Sequence, residues 1–194
     1  MCSKSDITKY FNNLPVVSNA NEYPYVLFPL TDYPTPTPPS LFSNLAKLII
    51  KEVNFSQTQA IVGQADRGSG PLVFSVASKL KIPFTLANWY PRETLAEIIV
   101  ENAHNQFGSG FIYLNGIKPG QHISIVVDLI STGGSTLALA NAILKAEAKI
   151  DNIIAAAENI DQKGTKTIER ILGIKPITII KYRIVNNFTQ VIDQ

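Results

Sequence analysis

Residues 125–136 read I-V-V-D-L-I-S-T-G-G-S-T, and this stretch decides the fold. Ser124–Leu129 is short, rich in Ile and Val and free of polar alternation, the pattern of a parallel strand buried on both faces. Thr132-Gly133-Gly134-Ser135 reads as a tight loop. Two glycines adopt conformations that other residues resist and let main-chain N–H groups come close to a ligand. From Leu137 to Ala148 leucine and alanine dominate, and Leu137, Ala140, Ile143 and Leu144 recur at helical spacing. The N-terminus of such a helix offers unpaired N–H groups and a partial positive charge, a natural place for a phosphate. The hydroxyls of Ser131, Thr132, Ser135 and Thr136 add donors. Asp128 falls at the C-terminal end of the strand, where open α/β sheets bind ligands, and its carboxylate can accept hydrogen bonds from sugar hydroxyls. The pattern alone leaves open a strand–loop–helix with no ligand.

Outward from this stretch, strands and helices alternate. A short helix is expected over 7–14. Asn19–Ser40 contains Tyr33-Pro34-Thr35-Pro36-Thr37-Pro38-Pro39 and reads as extended loop. Ser40 reads as an N-cap for an amphipathic helix over Leu41–Val53, with Leu41, Leu45, Leu48 and Ile49 on one side. Strands follow at Gln59–Gly63 and Pro83–Ala87, separated by a helix at Leu72–Leu80. Arg92–Asn102 reads as helix or lid and Phe111–Leu114 as a small strand. After the central strand and its helix come a strand at Asn152–Ala157, a helix at Thr165–Leu172 and a last strand at Ile177–Tyr182. This order predicts an α/β fold, a doubly wound parallel sheet. No repeat or linker divides the chain, so 1–194 is expected to be one domain.

The motif resembles the phosphoribosyl diphosphate (PRPP) motif of type I phosphoribosyltransferases: an apolar strand, two adjacent acids, two apolar residues, then T-G-G-[ST]. Tyr23–Ile50, Ile61–Pro83, Tyr113–Gly120 and Leu172–Ile184 are similar to the adenine-type and archaeal hypoxanthine-type purine enzymes, so the resemblance covers most of the chain. It implies a mostly parallel five-stranded sheet with helices on both faces and a small hood, to which about 1–40 contributes. The implied reaction, one of purine salvage, joins PRPP and a purine base, adenine ahead of hypoxanthine or guanine, to give a nucleotide and pyrophosphate. Mg2+ would enter through PRPP rather than through protein ligands, and a homodimer is implied. Carried over by position, Asp128 would hold the ribose hydroxyls and Ser131, Thr132, Gly133, Gly134, Ser135 and Thr136 the 5-phosphate. Ala65-Asp66-Arg67-Gly68 resembles the pyrophosphate loop, with Arg67 facing the leaving group. Asp128 and Arg67 are thus the expected catalytic residues.

Two positions depart from that pattern. Val127 stands where the first acid normally lies. Pro83-Phe84-Thr85-Leu86 runs into Ala87-Asn88-Trp89-Tyr90, where purine enzymes often carry Arg-Lys. Arg92 as a substitute and Trp89 or Tyr90 as a stacking surface are both open. Ser131 replaces the aspartate that some 6-oxopurine enzymes place near the base, and a serine is no general base at neutral pH without help. Two further readings therefore stand beside the purine enzyme. One is an orotate-type enzyme, although residues 87–110 contain no lysine. The other is a non-catalytic PRPP or nucleotide sensor that kept the cradle and lost the pyrophosphate clamp.

The whole chain agrees with a small-molecule enzyme. Its 194 residues suit one α/β core. A net charge of +2 carries no electrostatic footprint for nucleic acid. No apolar run approaches a membrane span, and the N-terminal segment lacks the apolar core of a secretion signal, so a cytoplasmic location is expected. Cys2 is the single cysteine, which excludes an internal disulfide. His104 and His122 have no metal-ligand spacing and read as solvated or loop residues, Asp32 as a turn former and Glu97 as a solvated helix residue. Gly63–Ser69 has the glycine spacing of a nucleoside-triphosphate P-loop but Ser69 replaces its lysine, and no dinucleotide fingerprint or G-x-S-x-G elbow occurs.

Overall fold

The computed structural model describes residues 4–18, 24–91, 97–105 and 108–192. Its main sheet contains β3 (Ala60–Gln64), β4 (Phe84–Ala87), β7 (His122–Ile130), β8 (Lys149–Asn159), β9 (Ile177–Val185) and β10 (Phe188–Val191), in the order β10-β9-β8-β7-β3-β4. The five strands from β4 to β9 are mutually parallel, and β10 closes the β9 edge antiparallel. The expected five-stranded parallel sheet is present, with a sixth strand added by a hairpin. The turn at its tip uses Asn186 and Asn187 at positive φ, a conformation asparagine tolerates.

Alternation along each strand feeds two cores. Ile61, Val126 and Ile154 face α2 (Pro39–Glu52) and α3 (Ser69–Leu80). Val62, Ile125, Val127, Ile153 and Ala155 face α4 (Gly134–Lys145) and Ile168 of α5 (Gly164–Leu172). Parallel strands need crossover helices, and these lie on both faces, as double winding requires. From β3 the chain runs to β4 on one side, while β7 pairs with β3 on the other. The strand order therefore reverses between β3 and β7, and in open α/β sheets the ligand crevice lies outside the C-terminal ends of strands at that point.

Several expectations are corrected. α2 starts at Pro39 after Pro38, so Ser40 lies inside the helix rather than capping it; proline suits a first turn because its φ is preset and its missing N–H would be unpaired there anyway. The helix expected within 92–102 is a strand where described. β5 (Ile98–Asn105) pairs antiparallel with β6 (Gly108–Leu114), led by the β-branched Ile98-Ile99-Val100. Residues 92–96, Arg92 included, lie outside the described residues, as do Cys2 and the His104 side chain. The hairpin is pinned to the α4 side by Ile112 and Leu114 in the core and by the Lys145 ammonium donating to the Ile99 carbonyl at 2.9 Å. The first helix, α1, spans Lys4–Thr8 rather than 7–14, and the expected loop over Asn19–Ser40 contains a short strand, β2 (Pro24–Val26), paired antiparallel with β1 (Val16–Ser18) just before it. No helix of the described residues is long and apolar enough to cross a membrane.

Candidate functional site

Two loops meet at the switch point. The first leaves β3 through Ala65, Asp66, Arg67 and Gly68. Its organiser is Asp66, whose Oδ1 accepts from the Gly68 N–H at 3.0 Å and the Ser69 N–H at 2.5 Å. This carboxylate caps the start of α3, which is why that helix begins three residues before the apolar periodicity does. Arg67 is exposed, and its carbonyl accepts from the Tyr33 hydroxyl at 2.6 Å. Gly68 is pressed onto its surroundings: a Cβ there would collide with the Asp128 carboxylate and lie 2.6 Å from the Thr31 hydroxyl.

The second loop leaves β7 through Ser131, Thr132 and Gly133 into α4. Gly133 has φ +86, and a Cβ on it would lie 2.9 Å from the Gly164 carbonyl. Gly133 at the N-cap of α4 has no side chain to cap it, and among the described residues the Thr132 hydroxyl accepts from the Gly134 N–H only at 3.5 Å. The first-turn N–H groups are thus left for an anion. Thr132 is exposed, while Ser131, Gly134 and Ser135 are half-buried. Thr136 is 1 % exposed and belongs to the packing under the loop.

Asp128 stands between the loops, 8 % exposed. Its Oδ1 accepts from the Ser69 hydroxyl at 3.0 Å and the Leu129 N–H at 2.9 Å, and its Oδ2 accepts from the Thr31 hydroxyl at 2.5 Å. The carboxylate therefore ties β7 to both α3 and the N-terminal segment. Loss of hydration pushes the Asp128 carboxyl up from the usual range, against the hydroxyl and N–H donors that hold it down. Asp66 is pushed up to about 7, first by burial and then by the charge of Asp128.

The fold also explains the first departure from the motif. Val127 is 2 % exposed and packs into the α4-side core, so this position offers the crevice no charge. The β3–β7 register ends with Val62 against Ile125, and on its other side β3 carries its pairing with β4 on to Gln64, set against Ala87. Gln64 is 7 % exposed, and its side-chain nitrogen has no hydrogen-bond partner among the described residues. Sequence reasoning missed Gln64, Thr31, Tyr33 and Ser69. Thr31 and Asp128 are 97 residues apart, and no local pattern signals their meeting. An amide closing a β-strand run was the one visible hint at Gln64.

The other singled-out residues have local roles or lie apart. The Asp32 Oδ2 accepts from the Phe28 N–H at 2.6 Å, a turn as expected. His122 begins β7 at the opposite end of the sheet and pairs through Nδ1 with Asp151 at 2.7 Å. Glu97 accepts from the Asn115 side chain at 3.1 Å. Trp89 and Tyr90 are 38 % and 51 % exposed just beyond β4.

Solved structures share this architecture. The adenine phosphoribosyltransferase of Thermoanaerobacter pseudethanolicus superposes with a TM-score of 0.75 over 92 % of this chain and 99 % of its own, at 17 % identity. The Giardia lamblia enzyme, solved with 9-deazaadenine, also gives 0.75, over 93 % of this chain and 98 % of its own, at 15 % identity. At such identities the likeness carries the fold alone. No protein-family model matches the chain. Among curated relatives, the hypoxanthine/guanine phosphoribosyltransferase of Methanotorris igneus is 34 % identical over 160 residues, covering 82 % of this chain and 85 % of its own. The chain belongs to the purine phosphoribosyltransferase family. A second relative with the same name, from Methanocaldococcus vulcanius, is 33 % identical over 172 residues, 89 % of this chain and 91 % of its own. Like the solved purine phosphoribosyltransferases, this chain has the type I fold of a mostly parallel sheet with flanking helices.

Proposed function

We propose that this chain transfers phosphoribosyl from PRPP to a purine base in purine salvage. The observation that carries the reading is the uncapped start of α4 behind the Thr132–Gly133–Gly134 loop, at the switch point of the sheet. The 5-phosphate would sit on the first-turn N–H groups of α4, with the hydroxyls of Ser131, Thr132 and Ser135 around it. The pyrophosphate would lie against the 65–68 loop, with Arg67 free to reach it. Asp128 would meet the ribose between them by exchanging the Thr31 and Ser69 hydroxyls for those of the sugar. The N-terminal segment that delivers Thr31 and Tyr33 is the candidate wall of the hood.

In the reaction the bond from ribose C1 to a diphosphate oxygen breaks and a bond from C1 to a base nitrogen forms. Positive charge grows on the ribose and negative charge on the leaving group. The chain contributes positioning of both ends and electrostatic stabilisation by Arg67 and main-chain N–H groups. Among the described residues no group of three His, Cys, Asp or Glu side chains is placed to hold a metal. The half-buried Asp66 beside Asp128 fits a cation that arrives on the diphosphate, because Mg2+ is commonly held by one or two carboxylates plus substrate phosphates. Such an ion would neutralise the leaving group.

The two relatives above carry the hypoxanthine/guanine name, and this favours a 6-oxopurine as acceptor over the adenine that sequence reasoning put first. The sensor reading rests on Val127 in place of the first acid, packed into the core, and on the missing Arg-Lys pair after Leu86. Pyrophosphate release from PRPP and Mg2+ with each of adenine, hypoxanthine, guanine, xanthine and orotate separates the cases. Turnover with hypoxanthine or guanine is expected. Turnover with adenine alone corrects the base, turnover with orotate alone the class, and PRPP binding without turnover leaves the sensor. No PRPP binding defeats the proposal.

A further inference from the structure

A pocket of about 500 Å3 lies between α5 and β9, and it shares no lining residue with the 65–68 or 128–136 segments. Lys163 and Lys166 reach it from the start of α5, and Lys175, Lys181 and Arg183 from β9 and its approach. Five cations face two carboxylates, Glu158 and Glu169. This local excess of three positive charges is larger than the net charge of the whole chain, +2.

The two acids leave the cations in excess. Glu158 is 6 % exposed and accepts from the Thr165 hydroxyl and, at 3.0 Å, from the Thr178 hydroxyl. Lys163, Lys166, Lys175 and Arg183 are exposed, and none makes an ion pair among the described residues. Cations gathered round a concave surface repel one another and focus a field that concentrates anions. The volume is that of a small-molecule site, too compact for a polymer track. Ammonium point charges together with a guanidinium fork suit phosphate oxygens.

We infer that the groove between α5 and β9 is a second anion site, for a small ligand bearing a polyphosphate. It lies outside the PRPP cradle and holds its ligand through Lys166 and Arg183 on opposite walls.

The test is titration calorimetry of the full chain with inorganic tripolyphosphate, with Mg2+ in excess, in the absence and presence of saturating PRPP. One tripolyphosphate per chain is expected to bind even with PRPP present, more weakly as salt is raised. The charge reversal Lys166→Glu with Arg183→Glu should weaken that binding by about tenfold or more while PRPP affinity and the thermal midpoint stay as in the wild type. If the reversal impairs folding, Lys166→Gln with Arg183→Gln gives the same comparison. The inference is overturned if PRPP abolishes all tripolyphosphate uptake, if the folded variant binds like the wild type, or if a hexaglutamate peptide binds and tripolyphosphate does not. A chain that binds no PRPP defeats the proposed function instead, and the charge-reversal comparison still decides this one.

Discussion

Asp66 and Asp128 hold two carboxylates in one crevice, and their cost depends on pH. With its folded value near 7 against an ordinary 3.8, Asp66 keeps its proton in the folded chain where the unfolded chain has lost it. The folded state binds more protons over that window, so this pair makes stability fall as pH rises from about 4 to about 7. Urea unfolding at the two ends of the window should give a smaller drop for Asp66→Asn than for the wild type, and equal drops would remove Asp66 as the cause. Gln64 poses a simpler problem. A buried donor without a partner costs on the order of 1 to 3 kcal/mol, so Gln64→Leu, close in volume, should raise unfolding free energy by about 1 kcal/mol. A loss of stability in urea titration would mean that the amide is satisfied after all. The sequence marked Asp66 as part of the pyrophosphate loop and Gln64 only as a strand-end amide; neither effect on stability was legible there, because both come from what packs around the two groups.

At the scale of elements, the phosphate loop is shaped from outside by α5. The Gly164 N–H donates to the Ser131 carbonyl at 3.0 Å, and a Cβ on Gly164 would collide with that same carbonyl. Backbone cannot rotate away as a flexible side chain can. Gly164→Ala should therefore displace the loop, destabilise the fold by about 2 kcal/mol and weaken PRPP binding. Calorimetric affinity equal to the wild type would show that the loop tolerates the shift. The sequence marked the loop and its helix well, since glycine pairs and leucine periodicity are local signals. Of the helix or lid expected over Arg92–Asn102, the helix is overturned at 98–102 because the strand's partner, β6, lies across a hairpin turn, and pairing rather than propensity decided the outcome.

For the whole molecule, the N-terminal segment is built into the core on the α2 side. Phe28 is 2 % exposed, its ring meets Phe11 edge-on at 5.2 Å, and it lies 6.2 Å from Tyr182 of β9. Thr31, three residues on, then reaches Asp128. Phe28→Ala should cost about 3 to 4 kcal/mol and loosen the Thr31 contact with it, measured as a lower urea midpoint. A shift within error would mean that the segment is held elsewhere. By itself the sequence determined the order of the five parallel strands and their crossover helices, the place of the phosphate loop and the family likeness, all of which rest on periodicity and on residues adjacent in the chain. Only the tertiary structure decided that Val127 turns into the core, that Asp128 is held by hydroxyls from two distant segments, and that a sixth strand closes the sheet. Those outcomes depend on which groups face each other across the fold, and burial and hydrogen bonding act through space rather than along the chain.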